Sequence, residues 1–242
     1  MATPSPITLV GATGLTGSFT LKSILSSSHP SNLTILTRRS LPFQTPSPGN
    51  PQTKLTTRLY ENLFQAPKDG QKISESNGVY ISCLGTTRAD AGGTANQEKL
   101  DLDLNRDLAK KAREDGADTM ILVSSGGASH TSRFFYMRIK GQLEEDVKAM
   151  GFNRVIILRP GALIGHRADG RKGQWFMNSL FTPLKTLGIS FNSATYGEDV
   201  GACIAELVAN PPEEKLLTIS DDKIVEYANK FRKSNPNSSS SS

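Results

Sequence analysis

A tyrosine and a lysine four residues apart are the side chains of this chain best suited to acid–base chemistry. Tyr136 and Lys140 fall within a stretch of helical periodicity, so they project from one face of a helix, one turn apart. A free phenol titrates near pH ~10, and a neighbouring ammonium favours the phenolate, which moves the tyrosine towards a working acid or base. An ordinary helical surface pair is the alternative interpretation, so the pair needs support from other residues.

Two consecutive serines supply part of that support. Ser124 and Ser125 follow an apolar run at 120–123, which predicts a buried strand, and they precede the helix that carries Tyr136. A hydroxyl at the end of that strand could hold a substrate carbonyl beside the tyrosine. Either serine fits this role.

A glycine-rich turn near the N-terminus predicts a binding site for phosphates. Gly11, Gly14 and Gly17 lie between the apolar run 7–10 and the helical stretch 18–26, so strand, turn and helix follow in the order of a dinucleotide-binding fold. Glycines let the backbone approach a pyrophosphate closely, and the helix start offers free N–H groups and a positive dipole end. A plain glycine-rich turn is the alternative.

Two arginines at the end of the second predicted strand bear on the choice of dinucleotide. Folds that prefer NAD place a carboxylate there to bind the ribose 2′-hydroxyl. Here the strand at 33–37 is followed by Arg38 and Arg39, which would bind a 2′-phosphate through charge-assisted hydrogen bonds. The sequence therefore predicts NADPH as the cofactor, with two solvated loop arginines as the alternative.

The elements that must position these residues alternate along the chain. Apolar runs predict strands, and stretches of helical spacing separate many of them. That alternation predicts an α/β fold with a doubly wound parallel sheet, a Rossmann-like NAD(P)-binding fold in a single domain. The strands are predicted at 7–10, 33–37, 55–60, 79–84, 120–123, 155–158 and 216–219, and the helices at 18–26, 98–114, 134–150, 199–208 and 222–231.

The domain is predicted to span residues 1–232. Within it, the irregular stretch 162–196 carries glycines together with Trp175, Phe176 and Phe181, and we expect it to form the substrate region. The tail at 233–242 is rich in serine and is predicted to be disordered.

Composition narrows the functional classes. No apolar run approaches the ~20 residues of a membrane-spanning helix, so any membrane association is expected to be peripheral. Cys83 and Cys203 lie in apolar segments and are expected to be core thiols in a reducing compartment. The three histidines are dispersed, which argues against a metal site or a serine-hydrolase arrangement.

The net charge of +5 is concentrated in the first 60 residues, which contain no Asp or Glu. Acid-free, Ser/Thr-rich N-termini resemble mitochondrial transit peptides, but this one carries the glycine turn and is interpreted as part of the fold. Its charge favours an anionic partner, either cofactor phosphates or an anionic membrane surface. Nucleic acid is not expected, because the arginines are few and lack an aromatic stacking platform.

Taken in register, the glycine turn, the strand-end serines and the Tyr–Lys helix resemble the short-chain dehydrogenase/reductase superfamily. The glycine spacing resembles its atypical or extended branch. The segments 82–88, 123–128 and 158–163 resemble the Tat-interacting oxidoreductase group and, within it, the fungal "found in mitochondrial proteome" family.

That resemblance implies an NADPH-dependent oxidoreductase that reduces a small carbonyl substrate, peripheral to the mitochondrial outer membrane. Tyr136 would be the acid/base, Lys140 its partner and a ligand of the cofactor ribose, and Ser124 or Ser125 the carbonyl holder. The predicted cofactor-binding residues are Gly11, Thr13, Gly14, Leu15, Thr16, Gly17, Arg38, Arg39, Cys83, Leu84, Gly85, Thr86 and Lys140.

Two alternatives remain open. A non-catalytic regulator would bind NADPH and change its affinity for a partner with cofactor occupancy. A membrane-surface adaptor would act through the basic N-terminal portion.

Overall fold

Seven strands form one fully parallel sheet at the centre of the molecule. The protein is represented by a computed structural model, which describes residues 3–165 and 194–236. Across the sheet the strands run in the order β3-β2-β1-β4-β5-β6-β9. They are β1 (Ser5–Val10), β2 (Ser31–Thr37), β3 (Lys54–Leu59), β4 (Gly78–Ser82), β5 (Ala117–Val123), β6 (Arg154–Arg159) and β9 (Leu216–Ser220).

This order confirms the predicted doubly wound fold. The chain starts in the middle of the sheet, builds outward to β3, and returns to add β4 on the other side of β1. Connections therefore leave the carboxyl ends of β1 and β4 in opposite directions, which opens a crevice between them, the usual ligand position in such sheets.

Helices α1 (Leu15–Ser26), α6 (Gly197–Ala209) and α7 (Asp221–Ser234) cover one face of the sheet. Alternate strand residues such as Ile121 point into this layer, where apolar helix residues pack against them. Gly201 allows α6 to approach α1 closely, because a Cβ there would lie 2.5 Å from the backbone carbon of Phe19.

The opposite face is covered by α4 (Leu104–Glu114) and α5 (Phe135–Ala149), whose apolar residues pack on Met120 and Leu122 of β5. The prediction of a single helix at 98–114 was wrong at its N-terminal end. The chain forms α2 (Arg88–Ala91), α3 (Thr94–Glu98) and a π-helical turn, Lys99–Asp103, before α4 begins.

A second, two-stranded parallel sheet lies beyond β6. It pairs β7 (Ala162–Ile164) with β8 (Ala194–Tyr196), at the two ends of the expected substrate region. Residues 166–193, with Trp175, Phe176 and Phe181, lie outside the described residues, as does most of the serine-rich tail. None of the helices within the described ranges is long and apolar enough to cross a membrane.

Candidate functional site

The glycine turn joins β1 directly to α1. Gly11 has φ +83°, a conformation that glycine adopts readily, and a Cβ there would lie 2.6 Å from the carbonyl carbon of Cys83 at the end of β4. The amide of Gly14 donates to the Gly11 carbonyl at 2.9 Å, and no side chain caps the first turn of α1. Among the described residues, the N–H groups that begin this helix have no side-chain acceptor, as an anion-binding helix start requires.

Some residues of the glycine turn line the cleft, and others are buried behind it. Gly11, Thr13 and Gly14 line the cleft. Leu15 and Thr16 are buried in α1, and a Cβ on Gly17 would overlap the Gly11 carbonyl. These last three residues hold the turn against the helix, so any contact they make with a ligand is through the backbone.

The cleft occupies the predicted crevice and has a volume of about 550 Å³. The ends of β2 and β4 form its two sides, with the glycine turn between them. The residues that the sequence prediction missed come mainly from the 3₁₀ turn after β3 and from the segment between β4 and α4. The lining comprises Gly11, Thr13, Gly14, Arg38, Arg39, Leu63, Phe64, Cys83, Leu84, Gly85, Thr86, Asp90, Ala91, Asn96, Lys99, Leu100, Asp101 and Leu104.

Both arginines that follow β2 lie at this cleft. The hydroxyl of the buried Thr37 donates to the Arg39 carbonyl at 2.8 Å, and the Arg39 amide lies 3.3 Å from the same hydroxyl oxygen. This local turn fixes the backbone where the two exposed residues, Arg38 and Arg39, leave the sheet. Their side of the cleft is cationic, as the 2′-phosphate hypothesis requires.

Lys140 lies behind the opposite side. It is 2% exposed, and its Nζ donates to the carbonyls of Leu84 at 3.3 Å and Val123 at 3.4 Å, which joins α5 to β4 and β5. A Cβ on Gly85 would lie 3.7 Å from this Nζ. Burial lowers the pKa of Lys140, while the Asp101 carboxylate acts in the opposite direction.

Tyr136 lies one turn before Lys140 on α5, and its phenol interacts with the side chain of Ser125. Burial raises the pKa of Tyr136 above its ordinary value; the Asp101 carboxylate raises it further, and the Ser125 side chain opposes both. The expected lowering was therefore wrong in direction. The Lys140 ammonium is committed to backbone carbonyls, and the charge acting on the phenol comes from Asp101, so Tyr136 stays protonated as an acid.

The two serines differ in what they contact. Ser124 donates from its hydroxyl to Oε1 of Glu144 at 2.5 Å, in a buried environment. The Ser125 hydroxyl instead donates to the Gly126 carbonyl at 3.3 Å, and the Ser125 side chain interacts with Tyr136. The geometry therefore places Ser125, and not Ser124, beside the candidate acid.

Glu144 continues the face of α5 that carries Tyr136 and Lys140, each one turn from the next. It is 1% exposed and accepts from Arg159 Nε at 3.0 Å, while Arg159 Nη2 pairs with its other oxygen. This hydrogen bond raises the pKa of Arg159. Sequence reasoning missed Glu144 and Arg159; the four-residue spacing after Lys140 was the available signal.

Cys83 lines the cleft, and its Sγ lies 3.7 Å from the Thr20 hydroxyl. Burial raises the pKa of this thiol to about 12, so it remains a neutral packing residue at physiological pH, as the sequence predicted. Within residues 3–165 and 194–236, no cluster of His, Cys, Asp or Glu side chains could hold a metal ion.

Comparisons with known proteins relate this geometry to a family. A family model described as HIM1 matches residues 59–187. The protein "fmp52, mitochondrial" of Aspergillus clavatus is 32% identical over 233 residues, which cover 93% of this chain and 98% of that protein. "FMP52, mitochondrial" of Candida albicans is 35% identical over 239 residues, covering 91% and 97%.

A solved structure shares the fold at low sequence identity. MoeE5 in complex with UDP-glucose and NAD has a TM-score of 0.62 and 14% identity, covering 93% of this chain and 81% of that one. This similarity supports the Rossmann-like architecture of the described sheet.

Proposed function

This chain belongs to the HIM1/fmp52 family, and from that membership and the geometry of the cleft we propose that it is an NADPH-binding oxidoreductase of the atypical short-chain dehydrogenase type. Its substrate would be a small carbonyl compound. The observation that carries the proposal is the position of Tyr136 next to the Ser125 side chain, beside a buried lysine that donates to the carbonyl of the cleft-lining residue Leu84.

The residues present fit a dinucleotide. The glycine turn leaves no room for side chains between β1 and β4, and the uncapped start of α1 suits a pyrophosphate. Arg38 and Arg39 lie at the end of β2, where a carboxylate would favour NAD, so they support NADPH. The solved structure with the same fold binds NAD, which supports a nicotinamide dinucleotide without distinguishing its phosphorylated form.

The proposed chemistry divides between cofactor and protein. When bound, the reduced nicotinamide supplies a hydride to the carbonyl carbon. Ser125 would orient the carbonyl oxygen, and Tyr136 would donate its proton to that oxygen as charge develops there. Because burial and Asp101 raise the pKa of Tyr136, the phenol is protonated throughout the neutral range and is ready to act in the reducing direction.

Tyr136→Phe tests this assignment, because it removes the phenol hydroxyl and keeps the ring. We expect the variant to bind NADPH with unchanged affinity and to lose turnover of a panel of aldehydes and ketones. Unchanged turnover would refute the proton-donor role. If the unmodified protein binds NADPH and reduces no member of the panel, the regulator hypothesis is favoured over the enzyme.

We also propose that the protein is mitochondrial and attached peripherally to the outer membrane. Its relatives from Aspergillus clavatus and Candida albicans are named mitochondrial. Lys54, Arg58 and Lys72 lie around a second hollow on the β1–β3 part of the sheet, where they form a basic surface. Flotation with liposomes tests the attachment: binding to anionic but not neutral vesicles is expected, and indifference to lipid charge would refute this electrostatic mode.

A further inference from the structure

One carboxylate oxygen at the cleft has no partner in the described parts of the chain. Asp101 is 1% exposed, and the Thr86 amide donates to its Oδ1 at 2.8 Å. Its other oxygen, Oδ2, is buried without any hydrogen-bond partner. A buried charged oxygen left unpaired costs free energy, so such an atom calls for an explanation.

The fold holds Asp101 in place through a π-helical turn, Lys99–Asp103. Asn105 stabilises the widened turn by donating to the carbonyls of Leu100 at 3.3 Å and Asp101 at 3.2 Å. The Ser82 hydroxyl, at the end of β4, anchors Asn105 at 2.5 Å. The turn is thus tied to the strand that forms one side of the cleft, and π-helical turns are frequent at functional sites.

The chemistry of Oδ2 limits what it can bind. A carboxylate oxygen accepts hydrogen bonds and repels phosphates, so its ligand must present a neutral hydroxyl or an N–H group. The strand order then indicates which part of the cofactor would lie beside Asp101. Arg38 extends from β2, the glycine turn follows β1, and Asp101 joins the segment after β4, so a dinucleotide with its 2′-phosphate at Arg38 places its other nucleoside beside Asp101.

We propose that Asp101 binds the cofactor directly, with Oδ2 accepting a hydrogen bond from a hydroxyl of the nicotinamide-side ribose. This inference rests on the proposed NADPH-binding function. It gives the cleft two chemically distinct ends, a cationic one for the 2′-phosphate and an acceptor for the ribose next to the reacting ring. Lys140 lies behind this second end, and the Asp101 carboxylate favours its charged form.

Binding of two nucleotides to two variants tests the proposal. Asp101→Asn keeps an acceptor for the Thr86 amide but replaces the unpaired oxygen with a donor. Asp103→Asn is the matched control, because Asp103 lies in the same turn with its side chain half exposed and paired with Arg106. The ligands are NADPH and adenosine 2′,5′-bisphosphate, which lacks the nicotinamide half, titrated calorimetrically at constant salt.

We expect Asp101→Asn to weaken NADPH binding by about tenfold or more and to leave adenosine 2′,5′-bisphosphate binding unchanged. Asp103→Asn should bind both nucleotides as the unmodified protein does. Equal NADPH affinity in Asp101→Asn and the unmodified protein would overturn the proposal, and so would equal losses for the two nucleotides.

Two further measurements keep the outcomes separate. Thermal unfolding of each variant reports folding, and Asp101→Ser provides a smaller neutral replacement with the same expected selectivity if the asparagine variant fails to fold. If the unmodified protein binds neither nucleotide, the proposed function itself fails. If it binds both and Asp101 variants show no selective loss, only the role of Asp101 fails.

Discussion

The hydroxyl of Ser124 donates a hydrogen bond to the buried carboxylate of Glu144 at 2.5 Å. This bond commits one of the two serines that follow β5 to the internal structure of the domain, whereas the next serine interacts with Tyr136. Adjacent residues in an extended segment point in opposite directions, so the two hydroxyls cannot serve the same neighbour. Ser124 is therefore the structural candidate, and Ser125 is the catalytic candidate.

Substituting each serine separately should reveal this division. Ser125→Ala is expected to lower kcat for a reducible carbonyl substrate by about a hundredfold, the scale of losing one positioned hydrogen-bond donor, with little change in stability. Ser124→Ala is expected to lower the free energy of unfolding by about 1–2 kcal/mol and to keep most activity, because Glu144 loses one donor. Steady-state kinetics and chemical denaturation measure the two effects; a reversed pattern would contradict the assignment.

The Glu144–Arg159 pair makes a prediction about stability. Arg159→Met removes the two guanidinium donors from the Glu144 carboxylate, which is 1% exposed and keeps only the Ser124 hydroxyl. We expect a loss of roughly 3 kcal/mol, the lower end for breaking a buried pair, since Arg159 is partly exposed. Arg106→Met is the matched control, because Arg106 pairs near the surface with Asp146 of α5, the helix that also carries Glu144. Its cost should stay below about 1 kcal/mol. Equal losses in urea denaturation would show that Glu144 does not depend on Arg159.

Much of the fold could be predicted from the sequence because its central strands are buried on both faces. Runs such as 120–123 are continuously apolar, and both neighbouring layers need those side chains, which makes such strands easy to recognise. The resemblance to the fungal family is confirmed by whole-length relatives. Helix α1 begins at Leu15, whereas the sequence predicted a start at residue 18. The spacing of Gly17 resembles that of the turn glycines, but Gly17 lies inside the helix.

The residues that the sequence did not reveal are acids whose burial depends on distant elements. Asp101 lies in a charged stretch that looks like the solvated face of a helix, but the tie between Asn105 and Ser82 of β4 and the Thr86 amide hold it at the cleft. The predicted direction of the Tyr136 pKa shift was wrong for the same reason. Spacing along α5 identified the nearby cation but could not show that the charge of Asp101, from a distant segment, also acts on the phenol.

The glycine turn predicts contrasting effects for two similar substitutions. A Cβ on Gly17 overlaps the backbone carbonyl of Gly11, so Gly17→Ala must displace the turn and should cost about 1–3 kcal/mol of stability. A Cβ on Gly14 meets only the Gly11 carbonyl oxygen at 3.3 Å, and the φ of −82° suits alanine. Gly14→Ala should therefore fold normally, while its methyl group at the cleft weakens NADPH binding by about tenfold.

Melting temperature and nucleotide titration together check this contrast. A Gly17→Ala protein as stable as the unmodified one would show that the turn is looser than its geometry indicates. Undiminished NADPH affinity in Gly14→Ala would show that the pyrophosphate does not approach this part of the turn.

Replacing both cleft arginines should change cofactor preference. Arg38→Ala with Arg39→Ala is expected to weaken NADPH binding by about tenfold or more and NADH binding only slightly, because the two cofactors differ in the 2′-phosphate alone. Lys54→Ala is the control, because it removes one basic residue of the N-terminal portion that pairs with Asn32, at the end of β2 away from Arg38. Parallel losses for NADPH and NADH in the double variant would point to general charge attraction instead of a 2′-phosphate site.

The pH dependence of nucleotide binding should report on Asp101. Burial raises the pKa of this carboxyl to about 6 in the free protein, with Lys140 and the Thr86 amide opposing the rise. A ribose hydroxyl that donates to Oδ2 would favour the charged form and lower this pKa, so binding would release a proton near pH 6. The affinity for NADPH should therefore fall as the pH decreases from 7 to 5, by up to about tenfold.

The Asp101→Asn variant separates this effect from titration of the ligand itself. Both proteins bind the same NADPH, so the ratio of their two affinities cancels the titration of the 2′-phosphate, which has a pKa of about 6. The unmodified protein should bind NADPH increasingly better than Asp101→Asn as the pH rises from 5 to 7. A ratio that does not change with pH would show that NADPH binding does not depend on the charge of Asp101.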